Sequence, residues 1–145
     1  MSRAKATILC VHDRWNGLID RKILLEENGY KVLEATDCSE GLRLFLSHRV
    51  DAVILDYQMA RMHGHLVAAE MKLLKWQVPI ILLSASGPLP DGKLKSVDTC
   101  LSKSQAPRIL LSTLKDLLDG RSKPFFSRWF DQWKGRNQEI REWHS

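Results

Sequence analysis

Apolar residues fall along this chain in two alternating rhythms. Unbroken runs, TILCV at 7–11, AVIL at 52–55 and PIILL at 79–83, predict strands buried on both faces, since a strand with one wet face would alternate. KVLEA at 31–35 is more polar and predicts an edge strand, and 99–101 a short fifth strand. Between them lie stretches of helical period. One covers 15–28, with Leu18, Ile19, Leu24 and Leu25 as its apolar stripe and Gly29 as its stop. Another covers 39–48, with Leu42, Phe45 and Leu46 on one side, and others cover 66–74 and 107–118. Gly87-Pro88, Pro90 and Asp91-Gly92 interrupt the stretch before the fifth strand, leaving about two turns of helix at 92–97.

Fully apolar strands alternating with helices predict an α/β fold: a doubly wound, five-stranded parallel sheet covered on both faces. Right-handed crossovers leave strand order 2-1-3-4-5 as the fit to five strands, with ligands beyond the carboxyl ends of strands 1 and 3. His12 and Asp13 follow the first strand, Asp56 ends the third, Ser84 the fourth, and Lys103 follows the fifth. Two carboxylates, a hydroxyl and an ammonium are thereby expected around one pocket. Paired carboxylates suit a hard divalent cation such as Mg2+. A carboxylate is also a nucleophile toward phosphorus, and phosphoryl transfer asks mainly for alignment and positive charge. Ala85, small and next to Ser84, leaves the approach open.

Composition changes this picture little. The 145 residues are 44% apolar and 27% charged, enough for one core and too apolar for a wholly disordered chain. No apolar run approaches the ~20 residues of a membrane span, and no signal peptide is read at the start, so the expected compartment is the cytoplasm. Cys10, Cys38 and Cys100 match no zinc spacing and are expected as free thiols. Residues 120–145 carry +3 of the net +5, a charge too small to argue nucleic-acid binding by itself.

The segment DYQMARMHG, beginning at Asp56, resembles the phosphoacceptor loop of the response regulator receiver domain, with Met59, Met62 and Gly64 at its characteristic places. IILLSA at the fourth strand and CLSK at the fifth match the same family in order and character. The likeness runs from about residue 7 to 118. It implies a flavodoxin-like (CheY-like) three-layer α/β/α sandwich in residues 1–119, followed by a 120–145 tail. By resemblance Asp56 is the phosphoacceptor, and Asp13, Asp56 and the Gln58 backbone carbonyl hold Mg2+, with His12 a candidate contact through water. Ser84 and Lys103 are then the groups that bond the phosphoryl oxygens. The implied partners are a sensor histidine kinase or phosphotransfer protein upstream and an unidentified protein downstream. The chain is expected to be no enzyme beyond transfer of the phosphoryl group to Asp56 and its hydrolysis. The alternative reading is a degenerate receiver that binds a protein partner without phosphorylation. A flavodoxin-type small-molecule site would want a Ser/Thr/Gly-rich phosphate loop where this chain has His12-Asp13-Arg14.

Several positions depart from the family pattern. His12 stands where a second acid is usual, Ala60 and Ser104 replace prolines and should loosen their loops, and Cys100 replaces the aromatic residue of the usual switch. Gln58 and Ser86, at positions that tune phosphoryl lifetime, are not acidic. His63 and His65 are expected in a solvated loop, His48 at the end of a helix, and Lys22, Arg43 and Lys72 on solvated helix faces. In the tail, Phe126, Trp129, Phe130 and Trp133 recur at helical spacing, which predicts an amphipathic helix. Packing on the receiver or on a second copy, as a homodimer, is the expectation for it, with an interaction surface for another protein as the alternative. The tail is too short for a DNA-binding module, so direct nucleic-acid contact is not expected, and its acids argue against a membrane surface.

Overall fold

The computed structural model describes residues 5–12, 15–57, 64–85 and 97–121; at 15–20, 64 and 121 the backbone alone is described. The helix expected at 92–97, the tail helix, and Asp13, Gln58, Met59, Ala60 and Met62 therefore lie outside the described residues, apart from Val97. The elements in chain order are β1 (Thr7–Val11), α1 (Trp15–Glu27), β2 (Lys31–Ala35), α2 (Cys38–Ser47), β3 (Ala52–Asp56), α3 (Gly64–Leu74), β4 (Ile80–Ser84), β5 (Thr99–Ser102) and α4 (Pro107–Arg121). All strand pairs are parallel and the order is β2-β1-β3-β4-β5, as the sequence pattern predicts.

Side-chain alternation along each strand builds two cores. Leu9, Val11, Val53, Leu55, Ile80 and Leu82 meet Phe45 of α2 and Val67 and Met71 of α3 on one face. Ile8, Cys10, Ala52, Ile54, Ile81 and Leu83 meet Leu25 of α1 and Leu114 of α4 on the other. Every residue of β3 and β4 is buried, which is why both read as continuous apolar runs. Full burial of each large side chain contributes roughly 1.5–3 kcal/mol, so these two layers hold the strand ends where the chemistry sits.

Helix ends follow local chemistry. Gly29 stops α1 in the left-handed region, φ 88°, which costs a glycine nothing, and the Tyr30 N–H reaches back to the Leu25 carbonyl at 3.1 Å. Asp37 caps α2, its Oδ1 accepting the Glu40 N–H at 2.8 Å. His48 closes α2 through its backbone N–H on the Leu44 carbonyl. The last helix, expected to end at residue 118, continues to Arg121. Leu117 and Leu118 still pack on the core, which outweighs the ~1 kcal/mol helix penalty of Gly120.

The cations expected on solvated faces divide. Lys22 pairs with Glu34 at 2.8 Å and Arg43 with Glu40 at 2.7 Å, both on the surface. Lys72 instead turns inward: its Nζ donates to the Val78 carbonyl at 2.8 Å and pairs with Asp98 at 2.8 Å. Asp98 Oδ2 also accepts the Ile80 N–H at 2.6 Å. The Val78 carbonyl just before β4 and the Ile80 N–H at its start are the backbone groups that draw Lys72 and Asp98 in.

Gly41 lets α2 lie against the end of β1. A Cβ there would stand 2.9 Å from Val11 Cγ2, closer than real contacts allow. Gly41→Ala is therefore expected to destabilise the fold by about 1–3 kcal/mol, read as a lower urea midpoint. Adding Val11→Ala to the same chain should recover part of that loss. An unchanged midpoint in Gly41→Ala would contradict this packing.

Candidate functional site

The parallel register sets the site. Val11 is opposite Leu55, so His12 and Asp56 come next on adjacent strands. Alternation then puts Asp56 on the side of Ala52 and Ile54, His12 on that of Ile8 and Cys10, and Lys103 on that of Leu101. Three polar residues at three strand ends thus share one side of the sheet. Backbone bonds continue the ladders past the strand ends: the His12 N–H meets the Ala35 carbonyl at 3.0 Å, and the Lys103 N–H meets the Ser84 carbonyl at 3.0 Å.

The side chains converge on one atom. Lys103 Nζ donates to Asp56 Oδ2 at 2.7 Å, and His12 Nε2 lies 3.0 Å from the same oxygen. Asp56 is 1% exposed and His12 3%. A carboxylate buried to this degree costs several kcal/mol unless paired, and the Lys103 ammonium supplies the pairing, with the His12 imidazole in contact beside it. Ser84, 1% exposed, ends the adjoining strand and holds Lys103 through its carbonyl. The structure thus brings His12, Asp56, Ser84 and Lys103 to one end of the sheet. Asp13 and Gln58 lie outside the described residues.

Two features of this neighbourhood escape a reading from residue types. Arg21 of α1 has its Nη1 buried without a hydrogen-bond partner. Burial pulls its pKa down, and the charges at Cys10 and Asp56 oppose that shift. Its spacing held a signal, because Arg21 falls between Leu18 and Leu25 on the apolar stripe of the helix. The second is His65, expected in a solvated loop. It belongs to α3, and its ring lies 5.6 Å from that of the buried Tyr57, tilted by 32°. The helix begins at Gly64, before the start at residue 66 that hydrophobic spacing alone suggests.

Other departures take definite forms. The loop after β5, expected to be loosened by Ser104, is tied by its own side chains: Ser102 Oγ lies 2.7 Å from Ser104 Oγ, and Gln105 Oε1 accepts the Ser102 N–H at 3.0 Å. Cys100 is half-buried against the α2–α3 side of the core, and burial raises its pKa. All three cysteines are free thiols.

Whether the donor set fits a divalent cation depends on atom type. A hard cation takes carboxylate and carbonyl oxygens, and the Asp56 carboxylate is such a ligand. Among the described residues no three His, Cys, Asp or Glu side chains are grouped to hold a metal ion, and the other two implied oxygen ligands are Asp13 and Gln58. The Asp56 carboxylate thus suits such a cation by atom type, while His12 offers a nitrogen.

Residues 8–115 match the response regulator receiver domain, and the chain belongs to that family. Membership is consistent with two-component signalling. The chain is 36% identical over 91 residues to the transcriptional regulatory protein GlrR of Escherichia coli, covering 63% of this chain and 20% of that protein. It is 38% identical over 60 residues to the response regulator SaeR of Staphylococcus aureus, covering 41% and 26%. The chain thus matches only about a fifth to a quarter of these relatives' length, and the name of GlrR as a transcriptional regulatory protein gives no support to an absence of nucleic-acid contact. Among solved structures, a CheY-like receiver domain from Methanospirillum hungatei superposes with TM-score 0.77 at 26% identity, covering 81% of this chain and 97% of that one. The response regulator TrrA of Thermotoga maritima, in complex with Mg2+ and BeF, gives TM-score 0.74 at 34% identity, covering 77% and 98%. No described helix is long and apolar enough to cross a membrane.

Beside this site, burial pushes the Cys10 thiol up from 9.0 to about 12. The unfolded chain loses that proton first, so between these values it binds fewer protons than the native state, and stability falls as pH rises. From about pH 9 upward the slope from this group is about 1.4 kcal/mol per pH unit. Chemical denaturation across this range should show a shallower decline in Cys10→Val than in wild type. Equal declines would contradict the burial of Cys10.

Proposed function

We propose that this receiver takes a phosphoryl group on Asp56 from the phosphohistidine of a sensor kinase or phosphotransfer protein, and signals by protein contact. The observation that carries the reading is the buried Asp56 carboxylate at the end of the central strand, bonded by Lys103 at 2.7 Å, in a chain of the receiver family. One Asp56 oxygen attacks phosphorus in line. An O–P bond forms as the P–N bond to the donor imidazole breaks, and the departing nitrogen takes up a proton from solvent. The Lys103 ammonium, freed from the charge it pairs in the resting site, follows the negative charge onto the phosphoryl oxygens. The Ser84 hydroxyl donates to another of them. Asp13, Asp56 and the Gln58 carbonyl are the residues proposed to hold Mg2+, which when bound supplies positive charge to the equatorial oxygens. The chain's own activity is then limited to this transfer and the hydrolysis of the acyl phosphate. The aromatic stripe Phe126, Trp129, Phe130 and Trp133, outside the described residues, is the candidate contact for a downstream protein or a second copy.

Incubation with acetyl phosphate and Mg2+, followed by intact-mass measurement, tests this reading. Wild type is expected to gain one phosphoryl group, Asp56→Asn none, and Lys103→Ala at least about tenfold less, the scale of one lost charge-assisted contact. No gain by wild type, or an undiminished gain by Asp56→Asn, would overturn it.

A further inference from the structure

The side of the sheet that carries Asp56 also holds a cation that packing does not call for. Leu25 of α1 is fully buried in the apolar layer that contains Ile8, Cys10, Ile54 and Leu114. Arg21 precedes it by four residues on the same helix face. Because α1 runs back from the end of β1, Arg21 stands about 6 Å nearer the carboxyl ends of the strands than Leu25 does. It is thereby set between the apolar core and the acceptor. Its charge reaches both Cys10, which is opposite Ile54 in the sheet, and Asp56. An apolar side chain would suit that place, and an arginine is costly there. Its Nη1 is buried without a hydrogen-bond partner, and burial opposes its charge. A residue that breaks the packing rule beside a site is one whose cost is matched by function.

We infer that Arg21 is a positioning residue for phosphoryl transfer: its guanidinium, enclosed at a cost in stability, supplies positive charge from within the fold for the negative charge that Asp56 gains. The inference rests on the reading of Asp56 as phosphoacceptor. With acetyl phosphate as donor, an Asp56 oxygen forms its bond to phosphorus as the bond from phosphorus to the acetate oxygen breaks. Acetate leaves with the electron pair. The acceptor then passes from one negative charge to about two. A fixed cation nearby stabilises that product, and the transition state leading to it, more than it stabilises the resting carboxylate. Lys103 meets the carboxylate directly but keeps 27% of its side chain exposed, where water screens it. Arg21 acts from the inner side, where a charge is felt more strongly. Its role is exerted through the field at Asp56 and needs no contact with the phosphoryl oxygens.

The test compares wild type, Arg21→Met, Arg21→Gln and Arg21→Lys by the rate of labelling with acetyl phosphate in excess Mg2+. Circular dichroism and urea denaturation check the fold of each. Arg21→Met keeps an unbranched chain and removes the charge, and Arg21→Gln removes the charge but keeps a polar end should the first not fold. Each is expected to label about tenfold more slowly than wild type, the scale of one charge acting across a part-buried gap. Arg21→Met is also expected to raise the urea midpoint, because it relieves the buried unpartnered donor. Arg21→Lys keeps the charge and should recover most of the rate. A merely structural arginine would move the midpoint alone, so unchanged labelling in folded Arg21→Met or Arg21→Gln overturns the inference. Labelling of Arg21→Lys as slow as that of the uncharged variants overturns it too. If wild type takes up no phosphoryl group, the phosphoacceptor reading falls and this inference with it. Equal labelling of wild type and the uncharged variants defeats this inference alone.

Discussion

A carboxylate removed from water must be answered by charge or by hydrogen bonds, and Asp56 is removed almost completely. Much of the structure around it serves that requirement. The register of β1 on β3 delivers His12, the ladder between β4 and the residue after β5 delivers Lys103, and both nitrogens meet one oxygen. Two apolar layers fix the strand ends, so neither nitrogen can drift from that oxygen by much without unpacking the core. Lys103 keeps partial exposure, 27% of its side chain, whereas His12 is enclosed. The lysine is thus the partner with room to follow charge outward.

Comparison with the family sharpens the same point. A usual receiver places two acids after its first strand and leaves their repulsion to a cation. This chain has one acid and one imidazole there, and the Lys103 ammonium answers the buried Asp56. Cys100 stands where the family's usual aromatic residue is expected, and its half-buried thiol packs against the core layer that holds Phe45 and Met71. Arg21 of α1 adds another cation to the field of Asp56.

The fold was legible in the sequence because it is written in runs of residues. TILCV, AVIL and PIILL gave the central strands with boundaries within a residue or so, and the alternation gave the sheet order. Asp56, Ser84 and Lys103 were legible for a related reason: strand ends in a doubly wound sheet converge whatever the loops do. The contact of His12 with Asp56 was not, because it depends on register and on which side of β1 the residue leaves, and one residue of slip would reverse it. Arg21 and Lys72 were hidden by their type. Each is a cation whose inward turn depends on groups brought near only by folding. His65 was misplaced because its helix starts at Gly64, before the apolar period begins.

The most direct measurement is NMR of the side-chain nitrogens in 15N-lysine-labelled protein without metal. The structure predicts that the Lys103 ammonium, bonded to the buried Asp56 carboxylate, shifts its resonance when Asp56→Asn removes the charge it meets. A Lys103 ammonium indifferent to Asp56→Asn in the folded protein would contradict the arrangement.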